Sequence, residues 1–205
     1  MGATPSADSA PPGGPAPLTE AQRQWLSLAL VPGVGSTHFI RLLARFGRPG
    51  QVLRAREVEL RETVGKALAT RIAAYQEAVD VGRQERLLRE YGAALLTMED
   101  DAYPPLLAEI YDPPLCLYVR GAWHEHELPC VAIVGTRKPT NYGLQVAERF
   151  GHDLAARGYT VVSGLASGVD AAAHEGALQA GGRTVAVLGC GVDKVYPAEN
   201  AALMH

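Results

Sequence analysis

The chain has 205 residues, 47% of them hydrophobic and 20% charged, with a net charge of −3. That composition belongs to an ordinary globular protein of one or two domains, long enough to bury a core, and excludes a fibrous or low-complexity chain. No apolar run approaches the roughly 20 residues of a membrane helix. The three cysteines, Cys116, Cys130 and Cys190, form no CxxC pair and no even disulfide set, which points to a reducing, cytoplasmic compartment. Residues 1–17 are dominated by Ala, Pro, Gly and Ser. They lack the basic start and apolar stretch of a signal peptide and read as a disordered tail.

Charge is unevenly divided. Residues 18–90 carry 12 Lys/Arg against 8 Asp/Glu, residues 91–130 carry 1 against 7, and residues 131–205 carry 6 of each. The acidic excess is local, so a basic first segment and a neutral last one remain compatible with a phosphate-backbone partner.

In chain order, Thr19 caps a helix over about 20–30, with Trp25, Leu26, Leu28, Ala29 and Leu30 as its apolar face. Val31-Pro32-Gly33-Val34-Gly35-Ser36 breaks it. Ser36 or Thr37 can cap a second helix, which Gly47 ends. Apolar-Gly-apolar-Gly between two short helices is a helix-hairpin-helix pattern, and it has two readings. Gly33 and Gly35 let the turn approach a phosphate, with amides at the second helix start donating to it. Alternatively, the glycines only shape an αα-hairpin. A weaker echo at 58–75, carried by Leu60, Val64, Gly65, Leu68, Ile72 and Tyr75, completes a helical domain over 18–90. Its last part, 76–90, reads as one charged helix with Glu85 and Arg89 at i,i+4.

Residues 93–98 read as a strand, Glu99-Asp100-Asp101 as a turn and Tyr103-Pro104-Pro105 as the lead into a short helix. After the stiff Asp112-Pro113-Pro114 turn, 115–119 reads as a second strand. His124-Glu125-His126 has no third ligand at a known spacing and reads as solvated loop, so no metal is expected.

Three Val-rich runs follow, 131–134, 159–162 and 184–188, each leading to a glycine turn at Gly135, Gly164 and Gly189. Helical stretches at about 140–157 and 170–181 separate them. Such runs fit parallel strands buried on both faces. Right-handed crossovers bring the glycine turns to the carboxyl edge of the sheet, where open α/β sheets bind ligands and helix starts favour anions. The candidate site is therefore made by 135–141, 163–170 and 189–197. Gly135-Thr136-Arg137 is not GxGxxG, no acidic residue closes the second strand, and no GxxxxGK[ST] loop is present, so no nucleotide cofactor is expected. What remains is a glycine turn beside Arg137 and Lys138, with Pro139 suited to the first helical position. That combination suits an anion held by amides and a guanidinium. Ser163, Asp170 and His174 invite a hydrolytic reading, since Asp170 and His174 share a helix face. Ser163 nonetheless lacks the GxSxG elbow. Asp170 is placed to cap its helix, and His174 to pack beneath the turn.

Several ordered motifs resemble the DprA/Smf family. They are Val134-Gly135-Thr136-Arg137-Lys138, Asn141-Tyr142-Gly143, Ser163-Gly164-Leu165-Ala166-Ser167-Gly168-Val169-Asp170 and Ala173-His174, followed by 181–189, Asp193, Tyr196-Pro197 and Asn200. Asp101-Ala102-Tyr103-Pro104 and 113–118 match the lead-in, and the resemblance spans roughly 18–205. It implies an α/β chain: a helix-hairpin-helix (SAM-like) domain over 18–90, then a Rossmann-like DNA-binding domain over 91–205. It further implies a protein of natural transformation that binds incoming single-stranded DNA and helps load RecA recombinase, without established catalysis. By motif position, Arg137 and Arg183 are carried over as backbone contacts, and Thr136, Ser163 and Gly164 as pocket-lining turns. Gly135, Lys138 and Lys194 complete the nucleic-acid-binding set. The family's sheet continues with further strands that hold most of its dimer and recombinase surfaces, so a chain stopping at His205 is expected to carry an incomplete sheet domain. Two other classes stay open. One is a nucleoside-monophosphate phosphoribohydrolase, whose PGGxGTxxE segment is not completed by Pro12-Gly13-Gly14. The other is a helix-hairpin-helix module with the sheet as scaffold.

Overall fold

The computed structural model describes residues 17–122 and 129–204, which fall into two compact units dividing between residues 125 and 126. The expected tail up to residue 16 and the His124-Glu125-His126 stretch lie outside the described residues.

The first unit runs through helices α1 (Glu20–Ala29), α2 (Ser36–Phe46), α3 (Pro49–Arg54), α4 (Glu57–Val64), α5 (Lys66–Ala73), α6 (Tyr75–Ala78) and α7 (Val81–Glu90). Strand β1 (Ala93–Thr97), helix α8 (Pro105–Ala108) and strand β2 (Cys116–Arg120) follow. Thr19 caps α1 in a full capping box with Gln22, satisfying two otherwise orphaned donors. Helix α2 starts differently from expectation. Gly35 is its extended N-cap without a side-chain bond, and the Ser36 hydroxyl donates to the Asp112 carboxylate instead. Gly47, with φ 87°, ends it in the left-handed region that glycine favours.

The apolar faces converge on one core of Trp25, Leu28, Phe39, Leu42, Val52, Leu60, Leu68 and Ile72. The Trp25 and Phe39 rings meet at 4.6 Å. Each such side chain contributes about 1.5–3 kcal/mol on burial, which outweighs the weak propensity of helices this short. The single charged helix expected over 76–90 is broken at Val79–Asp80, because the Asp80 carboxylate accepts from the Arg83 amide (2.8 Å) and opens α7. Glu85 pairs with Arg23 of α1 at 3.0 Å rather than with Arg89. Strands β1 and β2 are antiparallel, from Ala93↔Arg120 to Thr97↔Cys116. Met98, Leu115 and Cys116 pack on the helical core, and Trp25 Nε1 donates to the Leu115 carbonyl at 2.7 Å. The sequence grouped this strand pair with the later sheet, yet it packs with the helices.

The second unit contains β3 (Cys130–Ala132), α9 (Asn141–Ala155), β4 (Thr160–Ser163), α10 (Val169–Gln179), β5 (Thr184–Ala186), a short 3-10 turn (Ala198–Asn200) and α11 (Ala201–Met204). Its three strands are all parallel in the order β3-β4-β5, with Val131 opposite Val161 and Val161 opposite Thr184. Helices α9 and α10 touch backbone to backbone: a Cβ at Gly151 would run into the Ala173 carbonyl, and one at Gly176 into that of Glu148. Alternation along the strands turns Ile133 and Val161 toward Ala155, Ala173 and Ala177 of these helices. The other face departs from the expectation of burial on both sides. Val134 is 74% and Val187 63% exposed, and Val162 and Val185 are half-buried. No described helix is long and apolar enough to cross a membrane.

Candidate nucleic-acid interface

Parallel pairing brings the turns after β3, β4 and β5 to one edge, as the glycine pattern anticipated. The first two are clasped by the start of α10. Gly168, at φ 86°, lies so close to the 135–139 turn that a Cβ would meet the Thr136 carbonyl at 2.5 Å and Pro139 Cδ at 2.8 Å. The Val169 amide donates to that same carbonyl at 3.2 Å. At Gly135 an added Cβ would strike Val169 Cγ1 at 2.7 Å. Only glycine permits these approaches.

Asp170 is the centre of the clasp. The residue is 7% exposed, and its carboxylate accepts from the Gly135 amide (3.3 Å) through Oδ1 and the Gly164 amide (3.1 Å) through Oδ2. The expectation that Asp170 caps its own helix is corrected here: Gly168 is the N-cap, and the carboxylate reaches across to two other turns. The Gly135 and Gly164 amides are thereby satisfied within the protein. An anion arriving at this edge meets side chains and the remaining amides.

Arg137 is exposed at a pocket of about 450 Å³, also lined by Gly164, Ser167, Gly189, Cys190, Tyr196 and Pro197. All three turns therefore contribute to one concavity. Tyr196, 64% exposed, supplies an aromatic wall. The sequence marked it only as a motif residue, although an aromatic beside a cationic turn was the available signal. Lys138 and Lys194 are both exposed. The Lys138 amide donates to Thr136 Oγ1 at 3.1 Å, so the Thr136 hydroxyl closes its own turn. Pro139 does not open α9: Thr140 is the N-cap, accepting from the Gly143 amide at 3.2 Å, and the helix starts at Asn141.

Ser163 is buried, its hydroxyl donating to the Ile133 carbonyl at 2.6 Å and so stitching β4 to β3. His174 is on the buried face of α10, with Nδ1 2.6 Å from Thr184 Oγ1. Thr184 Oγ1 in turn donates to the Val161 carbonyl at 2.8 Å. The hydroxyl can therefore only accept from the imidazole, which fixes the proton on Nδ1 and leaves Nε2 buried without a hydrogen-bond partner. Burial pushes the His174 pKa down, and the Asp170 carboxylate opposes that shift. Ser163, Asp170 and His174 thus have separate partners and assemble no catalytic triad.

Arg183 is half-buried just before β5, its carbonyl accepting from the Val161 amide at 3.0 Å. The register sets it at the amino edge of the sheet, a strand length from the Arg137 turn. Gly33 and Gly35 lie in the first unit. Gly33 (φ 94°) has the Arg71 guanidinium against it, 3.1 Å from the Cβ position, while the space at Gly35 is open.

A parallel three-stranded sheet whose carboxyl-edge turns line a pocket with Arg137 among its residues makes the second unit an α/β domain with a candidate site at that edge. A sequence profile described as DNA recombination-mediator protein A matches residues 94–205, more than half of the chain, and the chain belongs to that family. It is 36% identical over 190 residues to protein Smf of Synechocystis sp., covering 90% of this chain and 48% of that protein. It is 39% identical over 116 residues to DNA processing protein DprA of Bacillus subtilis, covering 56% and 39%. The X-ray structure of DprA from Streptococcus pneumoniae is similar with a TM-score of 0.70 at 28% identity, covering 92% of this chain and 64% of that one. The chain spans about half the length, or less, of these curated relatives.

Proposed function

We propose that this chain binds single-stranded DNA at the carboxyl edge of its sheet, as a DNA-processing protein of natural transformation. The observation that carries the reading is the exposed guanidinium of Arg137 on a pocket built by three strand-end turns, all within the family-matched segment. A guanidinium holds a phosphate oxygen pair in a fixed fork, and the exposed Tyr196 ring offers a base a stacking surface. The sheet unit reads as Rossmann-like and the α1–α2 turn as a helix-hairpin-helix. Protection of incoming DNA, loading of RecA recombinase and homodimerisation belong to the same proposal, by family membership. No catalysis is proposed.

Titrating single- and double-stranded oligonucleotides tests it. The chain should favour single strands. Arg137→Ala should cost about 1–3 kcal/mol whatever the base sequence and make the salt slope shallower by roughly 0.7. Arg183→Ala should do the same if the strand runs along the sheet's flank to the amino edge. A folded Arg137→Ala variant with wild-type affinity and salt slope would remove the site.

A further inference from the structure

We propose that Asp170 is the positioning residue of the DNA-binding edge, setting the turn that carries Arg137 without itself touching the ligand. The inference rests on the single-stranded DNA reading above. An acidic side chain at an edge meant for phosphates is, by charge alone, unfavourable. Its geometry explains its presence. Each carboxylate oxygen holds one glycine amide, Gly135 after β3 and Gly164 after β4. Both turns are thereby tied to the first turn of α10, a helix whose start is itself locked to the Thr136 carbonyl. Arg137 lies two residues beyond Gly135 on this clasped turn, and Gly164 lines the same pocket as Arg137. A carboxylate accepts at both oxygens, whereas an amide side chain accepts at one and donates at the other. Asp170→Asn keeps the shape and must release one of the two turns, because its NH2 would face a backbone N–H.

Two explanations of Asp170 predict opposite signs. If it is only a nearby negative charge, Asp170→Asn tightens binding. If it positions the turn, the variant weakens binding on the order of tenfold, the worth of about one ordered charge-assisted hydrogen bond. The salt slope should stay as in wild type, since no phosphate contact is lost. Arg137→Ala/Asp170→Asn should then bind no more weakly than Arg137→Ala alone, as expected of residues acting through one contact. Wild-type or tighter binding by Asp170→Asn, or full additivity in the double variant, overturns the proposal. If wild type binds no single-stranded DNA, the function has failed rather than this role. A second measurement needs no variant. Hydrogen exchange at the Gly135 and Gly164 amides in the wild-type chain should be slow before oligonucleotide is added and unchanged afterwards. Amides that exchange freely until DNA arrives would show that they hold phosphate themselves, which also overturns it.

Discussion

His174 and Thr184 lie 2.6 Å apart in the core of the second unit, joining α10 to β5, and Thr184 passes the chain of hydrogen bonds on to the Val161 carbonyl of β4. The imidazole is neutral in this arrangement, because a second proton on Nε2 would find no acceptor. Burial holds the folded-state pKa below the ordinary 6.5, against the opposing Asp170 carboxylate. The unfolded chain then binds a proton more readily than the folded one. The stability that His174 contributes is complete above about pH 6.5 and is lost as pH falls through the depressed folded value. Urea midpoints measured at neutral and mildly acidic pH should fall on acidification. Thr184→Val, which strands Nδ1–H, should cost about 1–3 kcal/mol at neutral pH. Equal stability of that variant would show the relay to be dispensable.

Gly176 is where α10 rests on α9. A methyl group there meets the Glu148 carbonyl, a backbone atom that cannot swing aside. Gly176→Ala should therefore destabilise the second unit by about 1–3 kcal/mol or more, despite alanine's better helix propensity. A raised melting temperature would contradict the observed closeness of the two helices.

Gly35 offers a clean test of the hairpin, since a Cβ there meets nothing within 4 Å and the backbone is extended. The Asp112 carboxylate already sits at the start of α2 through Ser36, where a phosphate would have to dock. Gly35→Val should leave DNA affinity unchanged, with at most about 1 kcal/mol lost from the cap. A marked loss of affinity in a cooperatively folding variant would assign the turn a phosphate.

The strand pair of the first unit should be sensitive to alkali. Tyr118 is 36% exposed, yet desolvation of its phenol end pushes it up to about 12 from 10.0, with a smaller push from the Cys116 thiol. Burial likewise raises the Cys116 thiol and the Tyr103 phenol, whose hydroxyl donates to the Pro114 carbonyl at 2.7 Å. All three are acids favoured neutral by the fold. Their contribution is present below the ordinary values of 9.0 and 10.0 and is lost as pH rises through the raised ones. Tyrosinate absorbance should show two phenols titrating late, together with loss of circular dichroism. Uniform titration near 10 would refute it.

What was legible in the sequence was local or periodic. Thr19 and Gly47 announce helix ends through neighbours three or four residues away, and the Val runs with their glycines dictate parallel strands with turns at one edge. The partners of Asp170, Glu85 and Ser163 were not legible, because each lies far along the chain and is chosen by packing. Asp170 looked like a cap since an acidic residue at a helix start usually is one. Only the proximity of two other turns redirects it. The break at Asp80 is hidden for the opposite reason: amphipathic periodicity runs through 76–90, and one side-chain bond from the Arg83 amide to Asp80 overrides it.

The valines exposed on one side of the parallel sheet separate two directions in space. Backbone hydrogen bonding extends sideways from β3 and β5, the outermost of the described strands, and apolar covering approaches perpendicular to the Val134 and Val187 face. The turns bearing Arg137 and Tyr196 project along the strands, at right angles to both. A further strand would add beside β3 or β5, and an apolar cover would meet the Val134 and Val187 face; neither direction is the one along which these turns lie. Growth of the fold and access to its proposed binding edge are thus geometrically independent, so one can change without obstructing the other.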